Sequence, residues 1–417
     1  MPGDAGGAPV TGVPGPLHGI RVLDVSRVVA GPMAALYLAS LGAKVIRVEM
    51  PGGDLTWRVP PFFGAHGEHR GVRAPDEVAI GTIKRNRGKR NIVLDLKVDA
   101  ARDVFRRLVA VSDVVVENLR PGVLDRLGVG YAASSQLNPR VVWCSITGFG
   151  QFGPYRDRQA MDFTMQAISG VQAHTGFPDG PPTKSSLLAG DLAPATFAAL
   201  GAVAALFERE RTGRGQLVDV AMHDVVTSWL WDEPLDAYED AGEIPRPGNR
   251  ELRGSPSNTY RCADGWVNIV VVGDPPWPRL AALIGRADLA VHDNNQKRLA
   301  VNDEIDRAIG AWCAPRAGTD IEAALVAIDV PVAFVQPPWV ARRDPHVAAR
   351  RSIVPLVDQH GRSTGYLGPR FPVHLSTGEV ELAPPEPLGG GTDEVLGVVL
   401  GLAPGQIEAL REAGALG

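Results

Sequence analysis

The chain is 417 residues long, 45% hydrophobic and 21% charged, with a net charge of −5. That is enough apolar material for two or three cored domains, and it excludes a general attraction to nucleic acid or to an anionic membrane surface, so any basic site must be local. Cys144, Cys262 and Cys313 lie far apart, cannot pair evenly and form no C-x-x-C, which points to a reducing, cytoplasmic setting.

Residues 1–16 are rich in Gly and Pro, lack a basic or apolar leader region, and read as a disordered tail. Residues 20–25 form a short β-branched strand, Pro32 suits a first helical turn, 33–41 is helical, Gly42 closes the helix, and 44–49 is the next strand. This is a parallel βαβ unit, whose connection should be right-handed with its ligand crevice beyond the carboxyl ends of the strands. The pattern repeats as a strand at 91–94, a helix at 100–111, a strand at 113–116, a short helix ending near Gly128, and a strand at 141–147. Short buried strands alternating with helices predict a doubly wound α/β sheet. The longest apolar run, 192–207, closes in Glu208-Arg209-Glu210-Arg211. It falls short of the roughly 18–20 residues of a membrane span and reads as a core helix with Pro194 in its first turn.

Beyond a break at Thr212-Gly213-Arg214-Gly215, a strand at 216–221 and a helix at 225–237 are expected, then a loop at 242–258. A hairpin follows, 258–262 and 266–272 about Ala263-Asp264-Gly265, and a helix starts near Trp277. A smaller domain is placed at 240–335, an extended, loop-rich stretch at 345–371, and two helices at 392–400 and 404–414.

Asp191 follows Gly190 and immediately precedes the apolar run. A carboxylate there meets the open N-terminus of a helix, whose unpaired N–H groups and macrodipole stabilise negative charge on it or on a group reacting with it. Asp is also among the best N-capping residues, so the local sequence leaves a structural and a chemical role open. Lys84-Arg85-Asn86-Arg87-Gly88-Lys89-Arg90 carries five positive charges before a strand; it is either a solvated loop or a knot that holds the phosphates of a nucleotide-like ligand. Residues 148–153 match G-x-G-x-x-G, but Pro154 and a polar stretch follow where a dinucleotide site needs a helix. His66 and His69 lack further ligands for a metal site, His223-Asp224 suits packing and capping, and no G-x-S-x-G supplies a hydrolase nucleophile.

Four segments taken in order resemble the CaiB/BaiF family, the class III coenzyme A transferases. They are Leu17-His18-Gly19-Ile20-Arg21-Val22-Leu23-Asp24 running on to Ala30-Gly31-Pro32; residues 86–96; Asp113-Val114-Val115-Val116-Glu117-Asn118-Leu119-Arg120-Pro121-Gly122; and residues 176–191 with the Ala-rich helix after them. Thr212-Gly213-Arg214-Gly215-Gln216, Ala263-Asp264-Gly265-Trp266 and Thr392-Asp393-Glu394-Val395-Leu396 extend the similarity over nearly all of 17–416.

The resemblance implies that Asp191 is the catalytic aspartate, passing an acyl group through a mixed anhydride and an aspartyl-CoA thioester. It implies that Val28, Val29 and Ala30 line the first βα turn against CoA and that Asn118, Leu119 and Arg126 contact its adenosine side. Arg85, Arg87 and Lys89 of the basic loop are expected near the phosphates. Val29 and Met50 stand where relatives of the formyl-CoA type carry Gln and a basic residue, which argues against a formyl or oxalate substrate. Met161 stands where related racemases carry a histidine base; a thioether cannot take that proton, so transfer is favoured over racemisation, and Asp162 beside it is placed to approach the site. The implied fold is a Rossmann-like large domain with a parallel sheet plus a smaller α+β domain, in an interlocked ring-like homodimer. The large CoA-binding domain takes 17–225 and the chain returns to it at 345–417. No tightly bound cofactor, metal, nucleic acid or membrane is expected; CoA and acyl-CoA are substrates. Two other functions stay in play: an acyl-CoA racemase or isomerase working by α-proton exchange, and a non-catalytic CoA-binding dimer.

Overall fold

A computed structural model describes residues 12–242 and 246–417. They divide into two compact units, one of 12–171, 185–233 and 348–417, the other of 172–184 and 234–347. The expected tail at 1–16 lies outside the described residues up to residue 11. Residues 12–16 are bound to the fold: the Gly12 N–H donates to the Glu379 carbonyl at 3.1 Å, the Leu17 N–H to that of Leu41 at 2.8 Å, and Gly15 has no room for a Cβ.

The first unit is built on six strands, β1 (Arg21–Asp24), β2 (Lys44–Glu49), β3 (Lys89–Val93), β4 (Val114–Glu117), β5 (Val142–Thr147) and β6 (Leu217–Ala221), in the order β3-β2-β1-β4-β5-β6. All neighbours are parallel. Strands covered on both faces read as unbroken apolar runs, as Val114-Val115-Val116 does. The order reverses between β1 and β4, the switch point at which doubly wound sheets open a crevice beyond their carboxyl ends.

One face carries α1 (Ala30–Ser40) against the long helix Ala189–Thr212, where small residues such as Ala34, Ala35, Ala198 and Ala202 are buried together. The other carries α2 (Asp99–Ala110) and, from the end of the chain, α3 (Thr392–Leu400) and α4 (Pro404–Glu412). At 24 residues the long helix exceeds the apolar run that announced it and is long and apolar enough to cross a bilayer, but half of it packs inside the unit. Its start at Ala189 puts Pro194 in the second turn, where the missing N–H leaves the Gly190 carbonyl without its usual donor.

The second unit holds an antiparallel sheet of β7 (Ser257–Arg261), β8 (Trp266–Val270) and β9 (Val332–Phe334). The helices Trp277–Leu283, Asn302–Cys313 and Gly318–Val326 cover it through Trp277, Ile305, Ile309 and Ile321.

Two expectations change. The helix at 225–237 is broken into Met222–Ser228, Trp229–Asp232 and Leu235–Ala241, since Pro234 drives Glu233 to an extended ψ of 144°. The extended stretch at 345–371 contains the helix Pro345–Ala349 and an antiparallel hairpin of Ile353–Val357 and Ser363–Pro369. Asp358 accepts the His360 and Arg362 N–H groups at its turn.

Candidate functional site

Leu188 flanks the long helix, so Asp191 is the third residue of its first turn and is not the cap. The capping carboxylate is Asp162, which opens the helix Asp162–Ile168 and accepts the Gly190 N–H at 2.6 Å. Its other oxygen accepts from Gln166 Nε2 at 2.9 Å, and Gln166, itself fully buried, returns to the chain before the helix by accepting the Ser185 N–H at 2.9 Å. A Cβ at Gly190 would lie 2.8–3.0 Å from the Asp162 carbonyl, Cα and Oδ1. Glycine is therefore what lets the two segments close. The Asp191 and Leu192 N–H groups turn back to the Leu188 carbonyl, so three early donors of the helix are already used and the macrodipole, not free N–H groups, acts on charge at Asp191.

Asp191 is partly buried. Burial, and then the Asp162 charge, push its carboxyl up to about 6 against the opposing pull of Arg85. The group is therefore mostly carboxylate at neutral pH, but a carboxylate whose charge is less well stabilised than that of a free side chain.

The first βα turn is built by a buried charge network under the sheet. Arg47 bonds Asp24 at 3.0 Å, Glu49 at 3.0 Å and Asp54 at 3.3 Å. Lys89 bonds Asp24 at 2.9 Å and the Pro32 carbonyl at 2.8 Å. Burial alone would raise Asp24, but Arg47 and Lys89 outweigh it and hold the carboxylate ionised. Asp54 accepts the Val28 N–H at 2.7 Å and so fixes Val28 at a φ of +63°. A β-branched residue in that region stores roughly 1–3 kcal/mol of strain and persists only where its surroundings over-determine it.

The turn is clasped from β4. Asn118 accepts the Arg27 N–H at 2.6 Å and donates to the Arg27 carbonyl at 2.8 Å. The clasp holds Arg27 against Asn118 at the switch point, while Val29 and Ala30 are buried in the core beneath the turn. A cleft of about 290 Å³ adjoins it, lined by Leu119, Leu124 and Met50 with the cations Arg27, Lys97 and Arg126. Arg27 and Lys97 went unmarked in the sequence, although Lys97 lies just past the carboxyl end of β3, where the crevice rule points.

The basic loop does not form one patch. Lys89 faces inward from β3 and is committed to Asp24; burial draws its ammonium down to about 8. Arg87 is also buried, down to about 10, and donates to the Lys84 and Pro369 carbonyls beside a separate cavity of about 230 Å³. Arg90 pairs with Glu386 and Glu394. Of the five, Arg85 is the one whose charge acts on Asp191. Arg85 belongs to the helix Ile80–Asn86 and Arg87 to the turn after it, whereas Lys89 and Arg90 are successive strand residues and face opposite sides of the sheet.

Of the other motifs, residues 148–153 lead from β5 into a loop and the next helix opens only at Asp162. His69 pairs with Glu77 at 2.7 Å, and Asp224 beside His223 is exposed. Met161 is 63% exposed.

The sequence pattern of CoA-transferase family III is matched over residues 17–392. A succinyl-CoA:mesaconate CoA-transferase of Haloarcula hispanica is 39% identical over 83% of this chain and 87% of its own length. A formyl-CoA:oxalate CoA-transferase of Streptomyces coelicolor is 33% identical over 96% and 99%. The crystal structure of a CaiB/BaiF family protein from Brucella suis superposes with a TM-score of 0.78 at 31% identity, covering 92% of this chain and 99% of that one.

Proposed function

The chain belongs to CoA-transferase family III, and on that premise we propose that it moves coenzyme A from an acyl-CoA donor to a carboxylic acid through covalent intermediates on Asp191. The observation that carries the reading is the Asp191 carboxyl itself: partly buried, its ionised form destabilised by burial, and oriented by the first turn of a helix whose cap is a second carboxylate.

In the first step an Asp191 oxygen attacks the thioester carbonyl, the C–S bond breaks, and a mixed anhydride and CoA thiolate result. The thiolate attacks the Asp191 carbonyl carbon, the donor acid leaves as its carboxylate, and an aspartyl-CoA thioester remains. The acceptor carboxylate attacks that thioester, releasing thiolate, which attacks the acceptor's carbonyl in the new anhydride and regenerates the Asp191 carboxylate. One negative charge is conserved throughout, and a weak nucleophile is used only as an activated acyl carrier. Burial raises the free energy of the resting carboxylate, which favours its acylation.

CoA is assigned to the switch point. The adenosine side lies in the cleft beside Leu119, with Arg27, Lys97 and Arg126 for phosphates, and Val28, Val29 and Ala30 pass the pantetheine arm. Arg87 and Lys89 are left out, since their groups are already engaged. Asp162 positions Gly190 and the turn bearing Asp191; with both oxygens bonded it is unsuited to exchange an α-proton, which weighs against the isomerase reading. We further infer a homodimer of the interlocked kind, because the long helix exposes Phe197, Leu200, Ala204 and Phe207 along one stripe. The three thiols are free and buried, consistent with a cytoplasmic enzyme.

The test is intact-protein mass spectrometry after mixing with acyl-CoA thioesters, with hydroxylamine or borohydride to trap an activated carboxylate. A modification mapping to Asp191 and lost in Asp191→Ala is expected; CoA-binding protein that yields none with any donor would sink the mechanism.

A further inference from the structure

We propose that a second anion-binding site, for inorganic phosphate or a small phosphate monoester, lies at the amino ends of β2 and β3, where Arg87, Arg351 and Arg370 line one cavity of about 230 Å³. The site goes beyond CoA transfer and does not depend on the role of Asp191.

The three arginines are brought together by two local features. Arg87 stands in the turn before β3. The hairpin of Ile353–Val357 and Ser363–Pro369 supplies the other two: Ile353 pairs with Pro369 at its open end, and the Arg370 N–H donates to the Ser352 carbonyl at 2.9 Å, so Arg351 and Arg370 leave from adjacent strand ends. The Pro369 carbonyl accepts from Arg87 Nη2 and ties it to the same end of the hairpin. Ser40 and Leu41, where α1 stops ahead of β2, also line the cavity. The CoA cleft is lined instead by residues 48–50 and 94–97, at and past the carboxyl ends of the same two strands. At roughly 3.3 Å per residue, the chain from Arg87 to Leu94 separates the two by about 20 Å.

Charge on the cavity wall is not balanced. Arg87 is 7% exposed, and its bonds go to the Lys84 and Pro369 carbonyls, which carry no charge to match its own. Burial draws it down with no anion opposing, and among the described residues no carboxylate lies within 4 Å of it. Arg370 and Arg351 share a single acid, Glu379, which also takes His374, and Arg351 stands off from it at 3.9 Å. The contact of Arg370 with Glu379 joins opposite charges without hydrogen-bond geometry, so buried Arg370 Nη1 keeps an unused donor. The other acid on the wall, Glu381, is exposed and forms no ion pair among the described residues. Three guanidiniums thus meet one buried carboxylate. Buried cations without counter-charge are costly, and an anion entering the cavity relieves that cost.

An excess of two positive charges calls for a dianion, and forks reaching from three points of the chain call for oxygens in more than one plane. A carboxylate carries one charge and pairs with one fork in parallel. A phosphate group carries close to two charges at neutral pH and presents three strong acceptor oxygens. At ~30 Å³ for each water-sized group the cavity holds about seven, which suits phosphate with a short stem and excludes CoA. Val354, Phe371 and Leu382 give such a stem an apolar wall.

Inorganic phosphate, propyl phosphate and butyrate are to be titrated by calorimetry into the full-length protein, with and without saturating CoA. Both phosphates are expected to bind in either condition, at least tenfold more tightly than butyrate. Their affinity is expected to fall roughly 10–100-fold in Arg87→Met and in Arg351→Ala, the range for a charge-assisted pair. Arg351→Ala removes a side chain that is 40% exposed, so it tests the site even if Arg87→Met disturbs the fold. Tighter binding of propyl phosphate would assign the site to a monoester, and equal binding to free phosphate. Absence of binding at millimolar concentration, displacement by CoA, butyrate bound as tightly, or affinity unchanged in both variants would each overturn the proposal.

Discussion

Replacing Asp191 with Asn should make the protein more stable, by an amount that depends on pH. The Asp191 carboxyl is raised from 3.8 to about 6 in the folded state. In an unfolded chain it ionises near 3.8, so between the two values the unfolded state gives up a proton that the folded state retains. Below 3.8 the carboxyl costs nothing; as pH rises through 6 the folded protein carries the full penalty, about 3 kcal/mol at 1.36 kcal/mol per pH unit. At pH 4.5 only about 1 kcal/mol of it has developed. Asn removes the ionisation and with it the penalty. The gain of Asp191→Asn over wild type should therefore grow by about 2 kcal/mol between pH 4.5 and 7.5. For a unit of roughly 300 residues, at about 2.1 cal/mol/K per residue, that is an additional 3 °C or so in Tm. Thermal melts of the two proteins across this range measure it, and any pH-independent effect of the amide cancels in the difference. A gain that is constant with pH, or larger at pH 4.5, would refute the reasoning, because it would mean that the helix dipole and Arg85 outweigh burial and the Asp162 charge.

Gly190→Ala should cost at least tenfold in transfer rate: the added Cβ lands within 2.8–3.0 Å of the main chain and carboxylate of Asp162, and the roughly 1 kcal/mol of helix propensity it brings does not offset that overlap. Steady-state assays with a circular dichroism control decide this. Lys89→Met should destabilise by about 3 kcal/mol, read by urea denaturation, since it strips Asp24 of a buried partner; a pure loss of CoA affinity would instead return Lys89 to the phosphates. Glu117 is buried at the end of β4, accepts the Ser145 hydroxyl and the Leu119 N–H, and is pushed up to about 7, chiefly by burial. Like Asp191 it is an acid with a raised value, so its contribution is full below 4.5 and lost as pH rises through 7. Glu117→Gln should reduce the wild-type decline in Tm between pH 4.5 and 7 and leave the part due to Asp191, read by thermal melts across that range.

The doubly wound sheet was legible because its signals are local. Strands β1, β4 and β5 are short, largely apolar runs, and the helix after β1 carries its own start and stop in Pro32 and Gly42, whereas β3 opens with Lys89-Arg90-Asn91 and read as part of a basic loop. The Gly190-Asp191 pair was legible for the same reason, standing at the head of a long apolar helix. The role of each residue was not. Asp191 read as a possible cap, and the cap proved to be Asp162, 28 residues upstream of the Gly190 N–H it accepts. Nothing around residue 162 announces that pairing, since it depends on how a loop returns to the sheet.

The basic segment shows the division most sharply. Sequence by itself determined that five cations stand at residues 84–90, because composition is additive along the chain. Only the tertiary structure decided what each of them meets: Lys89 is consumed by Asp24, Arg90 by Glu386 and Glu394, and Arg87 by main-chain carbonyls, while the charge of Arg85 acts on Asp191. The partners come from positions as distant as 24 and 394. Pairing of buried charge is a property of three-dimensional distance, and a carboxylate far away in sequence neutralises a lysine as effectively as one next to it.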